Sequence, residues 1–317
     1  MSRVAIACQG GGSHTAFTAG FLAHVLGNWD EDDGLVGLSG TSGGALNATV
    51  AWYGLATGGR QHAAESLAAV WDDVAADDPL DRLTNATTVW AQRVEASGFP
   101  VPRVSPYLLP SSTWAESELR SLLERHVEFG AVRSLCGDPD RPALVVGTVD
   151  VTAGEFETFV DEDVTADAVL ASAAVPELFR AVEMHGHYYW DGLFSQNPPV
   201  TDLMHSDGAR EPEELWVVQI NPRRRGELPT TVEEIADRRN ELAGNISLNQ
   251  ELRFIERVNE WIDEGHLPES EFTRAAVHRI EMDRELHPST KTDRSPEFIE
   301  ELFALGERRA AAFLADR

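Results

Sequence analysis

"LVGLSGTSGGALNATVAW" (residues 35–52) joins three kinds of local order in one short stretch. Leu35–Ser39 is an apolar run of strand length, and Gly40-Thr41-Ser42-Gly43-Gly44 is a tight turn. The small-residue segment that follows has the character of a helix able to pack closely on a sheet. A G-x-S-x-G pentapeptide between a strand and a helix presents its serine on a strained turn, so the neighbours must be small. Gly40, Gly43 and Gly44, with Thr41 beside the serine, meet that need. A helix beginning near Gly43 aims its positive end at Ser42 and favours negative charge developing there. Ser42 is therefore a candidate nucleophile, and the open question is which group takes its proton.

The same alternation continues on either side. "VAIAC" (residues 4–8) predicts a first strand ending at Gly10-Gly11-Gly12, and "TAFTAGFLAHVL" has helical spacing through Phe17, Phe21, Leu22 and Val25. Strands alternating with helices imply an α/β fold with a parallel sheet. Residues 61–76 read as a helix, and residues 77–112 as an irregular segment holding Pro100, Pro102, Pro106 and Pro110. That segment is either a cap or approach loop for substrate, or a plain surface connection. "STWAESELRSLLERHV" predicts a capped helix with Leu119, Leu122 and Leu123 on its buried face. "ALVVGTVDV", "EFETFV" and "ELWVVQIN" are strand-like, and "TADAVLASAAVP" is a helix stopped by Pro176. A long helix over 232–263, a last strand at "HRIEMD" and a final helix from Ser295 complete the pattern.

The chain has 317 residues, 42% of them hydrophobic, enough for a large core in one big or two small domains. No run of about 18 apolar residues occurs, so no membrane span is expected. The N-terminal apolar run is too short for a signal peptide, and a cytoplasmic protein is expected. Cys8 and Cys136 lack metal-ligand spacing and read as buried free thiols. The ten histidines show no HExxH pattern, and no metal is expected.

The formal charge is −27, and among 26 basic residues only Lys291 is a lysine. Nucleic acid is an unsuitable partner for such a surface. Carboxylates in this excess repel one another at low salt. At about 1 M salt the Debye length shrinks to about 3 Å and the repulsion is screened. The composition predicts a halophilic, salt-adapted protein. A GC-rich genome explains the scarcity of lysine, but not the surplus of Asp and Glu.

Two further stretches carry chemistry. Gln9-Gly10-Gly11-Gly12-Ser13-His14 sits after a strand and before a helix, where glycines free backbone N–H groups to form an oxyanion hole or anion nest. A dinucleotide loop fits less well. Thr15 stands where the last glycine of G-x-G-x-x-G belongs, and the second strand ends in "LSG" without an acidic residue for the ribose. "GHYYWDGLFSQNPP" (residues 186–199) places Asp191-Gly192 ahead of an Asn-Pro-Pro stop. Taken alone, it is an ordinary Asp-Gly turn.

Together, in this order, Gly10–Ser13, Gly40–Gly44 and Asp191-Gly192 resemble the motifs of the patatin-like phospholipase family. "ASAAVPELFRAV" and Asn197-Pro198 are similar to the segments flanking that family's aspartate. The resemblance covers about residues 4–220. Residues 221–317 resemble the C-terminal extension of a microbial subgroup, expected to be helical and integral to the same domain as the 1–220 core. Two positions depart from the pattern: His14-Thr15 replace a basic residue and a glycine, and Leu193 follows Gly192.

The resemblance implies a three-layer α/β/α fold with a mainly parallel central sheet. It also implies a Ser42–Asp191 dyad, in which Asp191 accepts the Ser42 proton directly. An unperturbed carboxylate, with a pKa of about 4, is a weak base for a hydroxyl and needs desolvation. Tyr188, Tyr189, Trp190, Leu193 and Phe194 are apolar neighbours suited to supply it. Gly10, Gly11, Gly12 and Ser13 would form the oxyanion site, an acyl-enzyme would form on Ser42, and no cofactor would be needed. His14 is the rival base; otherwise it anchors the loop. The implied substrate is a lipid acyl ester, with contact at a membrane or storage-granule surface. Intracellular depolymerisation of polyhydroxyalkanoate granules by the same dyad is the alternative. A catalytically inactive lipid- or protein-binding module remains open as a third reading.

Overall fold

Short apolar runs buried on both faces form the centre of the sheet, as parallel strands do when helices cover both sides. In the computed structural model, which describes residues 2–29, 33–76, 78–96, 104–138, 140–176, 178–204 and 211–317, five strands run parallel. They are β1 (Arg3–Cys8), β2 (Gly34–Gly40), β3 (Ala143–Asp150), β7 (Glu214–Gln219) and β8 (Ala276–Glu281), in the order β3-β2-β1-β7-β8. Antiparallel β4 (Glu155–Val160), β5 (Val182–Met184) and β6 (His187–Asp191) complete an 8-stranded sheet. Strand alternation divides the core. Val4, Ile6 and Cys8 of β1 face one apolar cluster, while Ala5 and Ala7 face another.

The first cluster takes in α1 (Ala16–Gly27), α2 (Gly43–Val74) and α9 (Pro296–Asp316). The second takes in Leu203 of α7 (Thr201–Met204) and Leu248 and Leu252 of α8 (Val232–Asp263). Helices therefore cover both faces, giving the three-layer α/β/α architecture. The residues after 220 contribute β8 to the sheet, α8 to one face and α9 to the other. No helix among the described residues is long and apolar enough to cross a membrane.

The segment expected to be irregular over 77–112 is largely helical. It contains α3 (Pro79–Ala96) and the start of α4 (Pro110–His126). Asp78, Pro79 and Pro110 open helices instead of breaking them. Asp78 Oδ1 accepts the Asp81 N–H at 3.0 Å, with Pro79 in the first turn, and Pro110 stands in the first turn of α4, which no side chain caps. Pro100 and Pro102 lie outside the described residues. α5 (Phe129–Leu135) and α6 (Ala166–Ser172) lead to and follow the β3–β4 hairpin, and α6 stops before Pro176. Cys8 is buried as expected, but Cys136 is partly exposed.

One feature of the sheet sets the geometry of the site. β4 pairs with Val145–Asp150 and occupies one edge of β3. β2 pairs with Ala143–Val146 and β6 with Thr148–Asp150, so they share the other edge. β2 runs parallel to β3 and β6 antiparallel, so their C-terminal ends face each other across Gly147.

Candidate active site

Ser42 lies beyond the end of β2, after Thr41, and caps α2 with φ 57° and ψ −129°, a left-handed conformation costly for a residue with a Cβ. Close packing enforces it. A Cβ on Gly44 would lie 2.1 Å from the Cys8 carbonyl oxygen, and one on Gly40 2.3 Å from the Gly44 carbonyl. A Cβ on Gly43 would meet Thr15 Oγ1 at 2.2 Å. Thr41 is buried and donates from Oγ1 to the Gln196 carbonyl at 2.7 Å. The Ser42 N–H donates to Ser172 Oγ at 2.9 Å, and Ser172 donates to the Gly147 carbonyl at 2.7 Å. Ser42 is 8% exposed, at the positive end of α2.

Asp191 ends β6 and is 0% exposed. Its Oδ1 accepts the Leu193 N–H at 2.9 Å, while Oδ2 makes no hydrogen bond among the described residues. Burial pushes its pKa up to about 7, and the nearby Ser42 hydroxyl and the Leu193 N–H oppose part of that rise. Gly192 is the hinge of the close approach, because a Cβ there would lie 2.8 Å from the Gly147 carbonyl and 3.1 Å from Thr41 Cγ2. Leu193 carries its backbone under α8, where a Cβ on Gly244 would come within 3.2 Å of the Leu193 carbonyl.

The glycine loop leaves β1 beside this elbow, since β1 and β2 are parallel neighbours with Cys8 opposite Gly40. A Cβ on Gly10 would stand 2.7 Å from Ser42 Cβ. Gly10 is nonetheless unsuited to the oxyanion role expected of it, because its N–H is committed to Asn197 Oδ1 at 2.6 Å. The Gly11 and Gly12 N–H groups donate no hydrogen bond among the described residues. Ser13 is the second residue of the short 3-10 turn, Gly12–Thr15, that leads into α1.

His14 lies beside this loop but is directed elsewhere. Its Nε2 is 2.7 Å from Thr290 Oγ1, whose own proton goes to the His287 carbonyl at 2.6 Å, so the imidazole donates. Burial, reinforced by the charge of Lys291, pushes its pKa down to about 3. His14 is thus a neutral donor bound to the C-terminal segment.

A buried amide network, not foreseen from the sequence, holds the loop. Gln9 Nε2 donates to the Asn197 carbonyl and to Asn245 Oδ1, and Gln9 Oε1 accepts the Ile220 and Asn221 N–H groups. Asn221 Nδ2 donates to the Gly10 carbonyl at 3.0 Å. Ser172, Asn221, Asn245 and Thr290 escaped sequence reading because each is a lone polar residue far along the chain. Gln9, next to the glycines, Ser172, inside "ASAAVP", Asn197, ahead of the two prolines, and Asn221, at the end of "ELWVVQIN", lie within stretches quoted above, but nothing local marks them as partners. Among the described residues, no group of three or more His, Cys, Asp or Glu side chains is placed to hold a metal ion.

A model of the family described as patatin-like phospholipase matches residues 6–204. No curated protein matches the chain. The crystal structure of VipD from Legionella pneumophila is similar, with 13% sequence identity and a TM-score of 0.46; the match covers 99% of this chain and 66% of VipD. The family match takes in the glycine loop, the Ser42 elbow and Asp191-Gly192. The chain belongs to the patatin-like phospholipase family.

Proposed function

We propose that the protein is a serine acyl-ester hydrolase that cleaves lipid esters through Ser42 and Asp191. The observation that carries this reading is the pairing of a strained serine at a helix N-terminus with a wholly buried carboxylate raised to about 7. As Ser42 Oγ attacks the ester carbonyl, Asp191 takes its proton, and the tetrahedral oxyanion is held by the free amides of Gly11 and Gly12, with Ser13 beside them. Collapse expels the alcohol, which receives the proton from Asp191 and leaves the acyl group on Ser42. Asp191 then deprotonates a water that attacks the acyl-enzyme, and returns that proton to Ser42 as the carboxylic acid departs. No step of this reaction calls on a metal or an organic cofactor.

The surface favours a neutral ester interface. Residues 104–115 carry no charged side chain, in a chain of net charge −27. Tyr107, Leu108 and Trp114 of this stretch are exposed. Tyr107 Oη accepts the Ala181 N–H, in the segment whose Ala174 carbonyl accepts the Asp191 N–H. An uncharged lipid surface or a polyester granule suits such a patch better than an anionic membrane.

Hydrolysis of p-nitrophenyl esters of increasing chain length, in about 2–3 M salt to screen the surface charge, tests the proposal. Ser42→Ala and Asp191→Asn are each expected to lower kcat by at least about 10³-fold. An Asp191→Asn variant near wild-type activity would overturn the dyad. The chain-length profile directs the next assay to phospholipid or to polyester granules. A folded wild type that resists fluorophosphonate labelling would favour the binding-module reading.

A further inference from the structure

Lys291, the single lysine, sits where the chain's otherwise uniform use of arginine breaks. Its Nζ lies 2.5 Å from Asp237 Oδ1 and 3.3 Å from Glu241 Oε1, both on α8. Glu241, whose side chain is 2% exposed, is also held by Arg225 at 2.7 Å and Arg238 at 3.0 Å, and Arg225 pairs with Asp237 as well. One buried and one partly buried carboxylate thus bind three cations in a strongly acidic protein. The two guanidinium forks take up much of both carboxylates, and the compact ammonium fits the space that remains.

The same residue touches the glycine loop through its backbone. The Lys291 carbonyl oxygen would be 2.2 Å from a Cβ on Gly12, so the two backbones are in direct contact. The preceding residue, Thr290, bonds to His14. Residues 288–292 therefore brace the loop from Gly12 to His14, and the Lys291 side chain joins that brace to α8. α8 also supplies Asn245, which holds Gln9 on the other flank of the glycines. Every one of these holding groups lies beyond residue 204, outside the stretch that the family model matches.

We propose that Lys291 is a positioning residue for the oxyanion site: its ion pairs with Asp237 and Glu241 fix the brace that keeps the Gly11 and Gly12 amides aimed at the reacting carbonyl. This rests on the reading of Ser42 and Asp191 as the reacting pair. The C-terminal segment is then part of the catalytic apparatus, and not an appendage to the 1–220 core.

The test compares wild type, Lys291→Met and Asp237→Asn in molar salt, with reactive serines counted by fluorophosphonate so that kcat is expressed per active site. Each variant is expected to lose about 10- to 100-fold in kcat, less than deletion of an oxyanion donor, with KM changed less than about threefold. Fluorophosphonate should react more slowly in parallel, because the phosphonyl oxygen uses the same amides. The pH dependence set by Asp191 should stay where it is. A purely structural role would lower the melting temperature and the number of reactive serines, but leave kcat per serine unchanged. Either folded variant with kcat per serine within twofold of wild type overturns the proposal. Should Lys291→Met fail to fold, the near-isosteric Asp237→Asn decides. A wild type that neither turns over nor labels overturns the underlying Ser42–Asp191 reading instead, a result distinct from an active enzyme indifferent to Lys291.

Discussion

The backbone N–H of Ser42 is held by the hydroxyl of Ser172, 2.9 Å away. That hydroxyl donates in turn to the Gly147 carbonyl, so one buried side chain fastens the strained turn to β3. Ser172→Ala leaves a buried donor and a buried acceptor without partners, at a cost of about 1–3 kcal/mol. We expect a lower melting temperature and a fall of about tenfold in kcat with little change in KM. Steady-state kinetics beside thermal melts check both, and unchanged kcat would remove Ser172 from the positioning of the nucleophile.

As the proposed base, Asp191 acts only when ionised, and burial raises its pKa to about 7. kcat/KM should therefore rise with pH through about 7 and level off above it. Stability should move the other way. Between the ordinary value of 3.8 and about 7, the unfolded chain releases this proton while the folded chain keeps it. Stability consequently falls across that window, by about 4 kcal/mol in all. Asp191→Asn removes this penalty, so the inactive variant should melt above wild type at pH 8 and lose that advantage towards pH 4. Melting curves across pH in molar salt would show whether the two profiles converge.

Gly12 and Gly154 share a left-handed backbone, with φ +60° and +74°, but only Gly12 has an obstruction in front of its missing Cβ. Gly154→Ala should cost about 1 kcal/mol in backbone strain and leave turnover intact. Gly12→Ala must also displace the Lys291 carbonyl, 2.2 Å away, and should abolish most activity. Similar kinetics for the two variants would show that the contact with residues 288–292 has no catalytic consequence.

A net charge of −27 predicts that salt stabilises this fold by screening. The melting temperature should climb between about 0.1 and 2 M KCl, and NaCl should act alike, because the effect is one of ionic strength. A melting temperature indifferent to salt would separate the acidic composition from adaptation to brine.

The order of strands and helices was legible because buried parallel strands write themselves as short apolar runs, as at residues 4–8, 35–39 and 214–219. The helix α3 was not. Its opening Asp78-Pro79 looks like a loop in composition, although an aspartate followed by proline is equally a capped helix start. The three motif segments could be picked out, but the role of each amide could not. Gly10 and Gly11 are neighbours of the same type, yet Asn197 takes the N–H of only one. Partners separated by 130 residues, as Ser172 is from Ser42, or by 276, as Thr290 is from His14, leave no local pattern to read.

Because β2 and β6 abut along one edge of β3, the separation of Ser42 from Asp191 is counted out in residues of a third strand. Gly40 is tied to Val146 and Asp191 to Thr148, with Gly147 as the single rung between. β3 therefore acts as a ruler. α3 and α4 contribute no strand to this edge, so changes to their length or sequence leave that count unaltered. Under the proposed Ser42–Asp191 dyad, the distance over which the proton moves is set inside the sheet, and the surrounding helices can drift while it stays fixed.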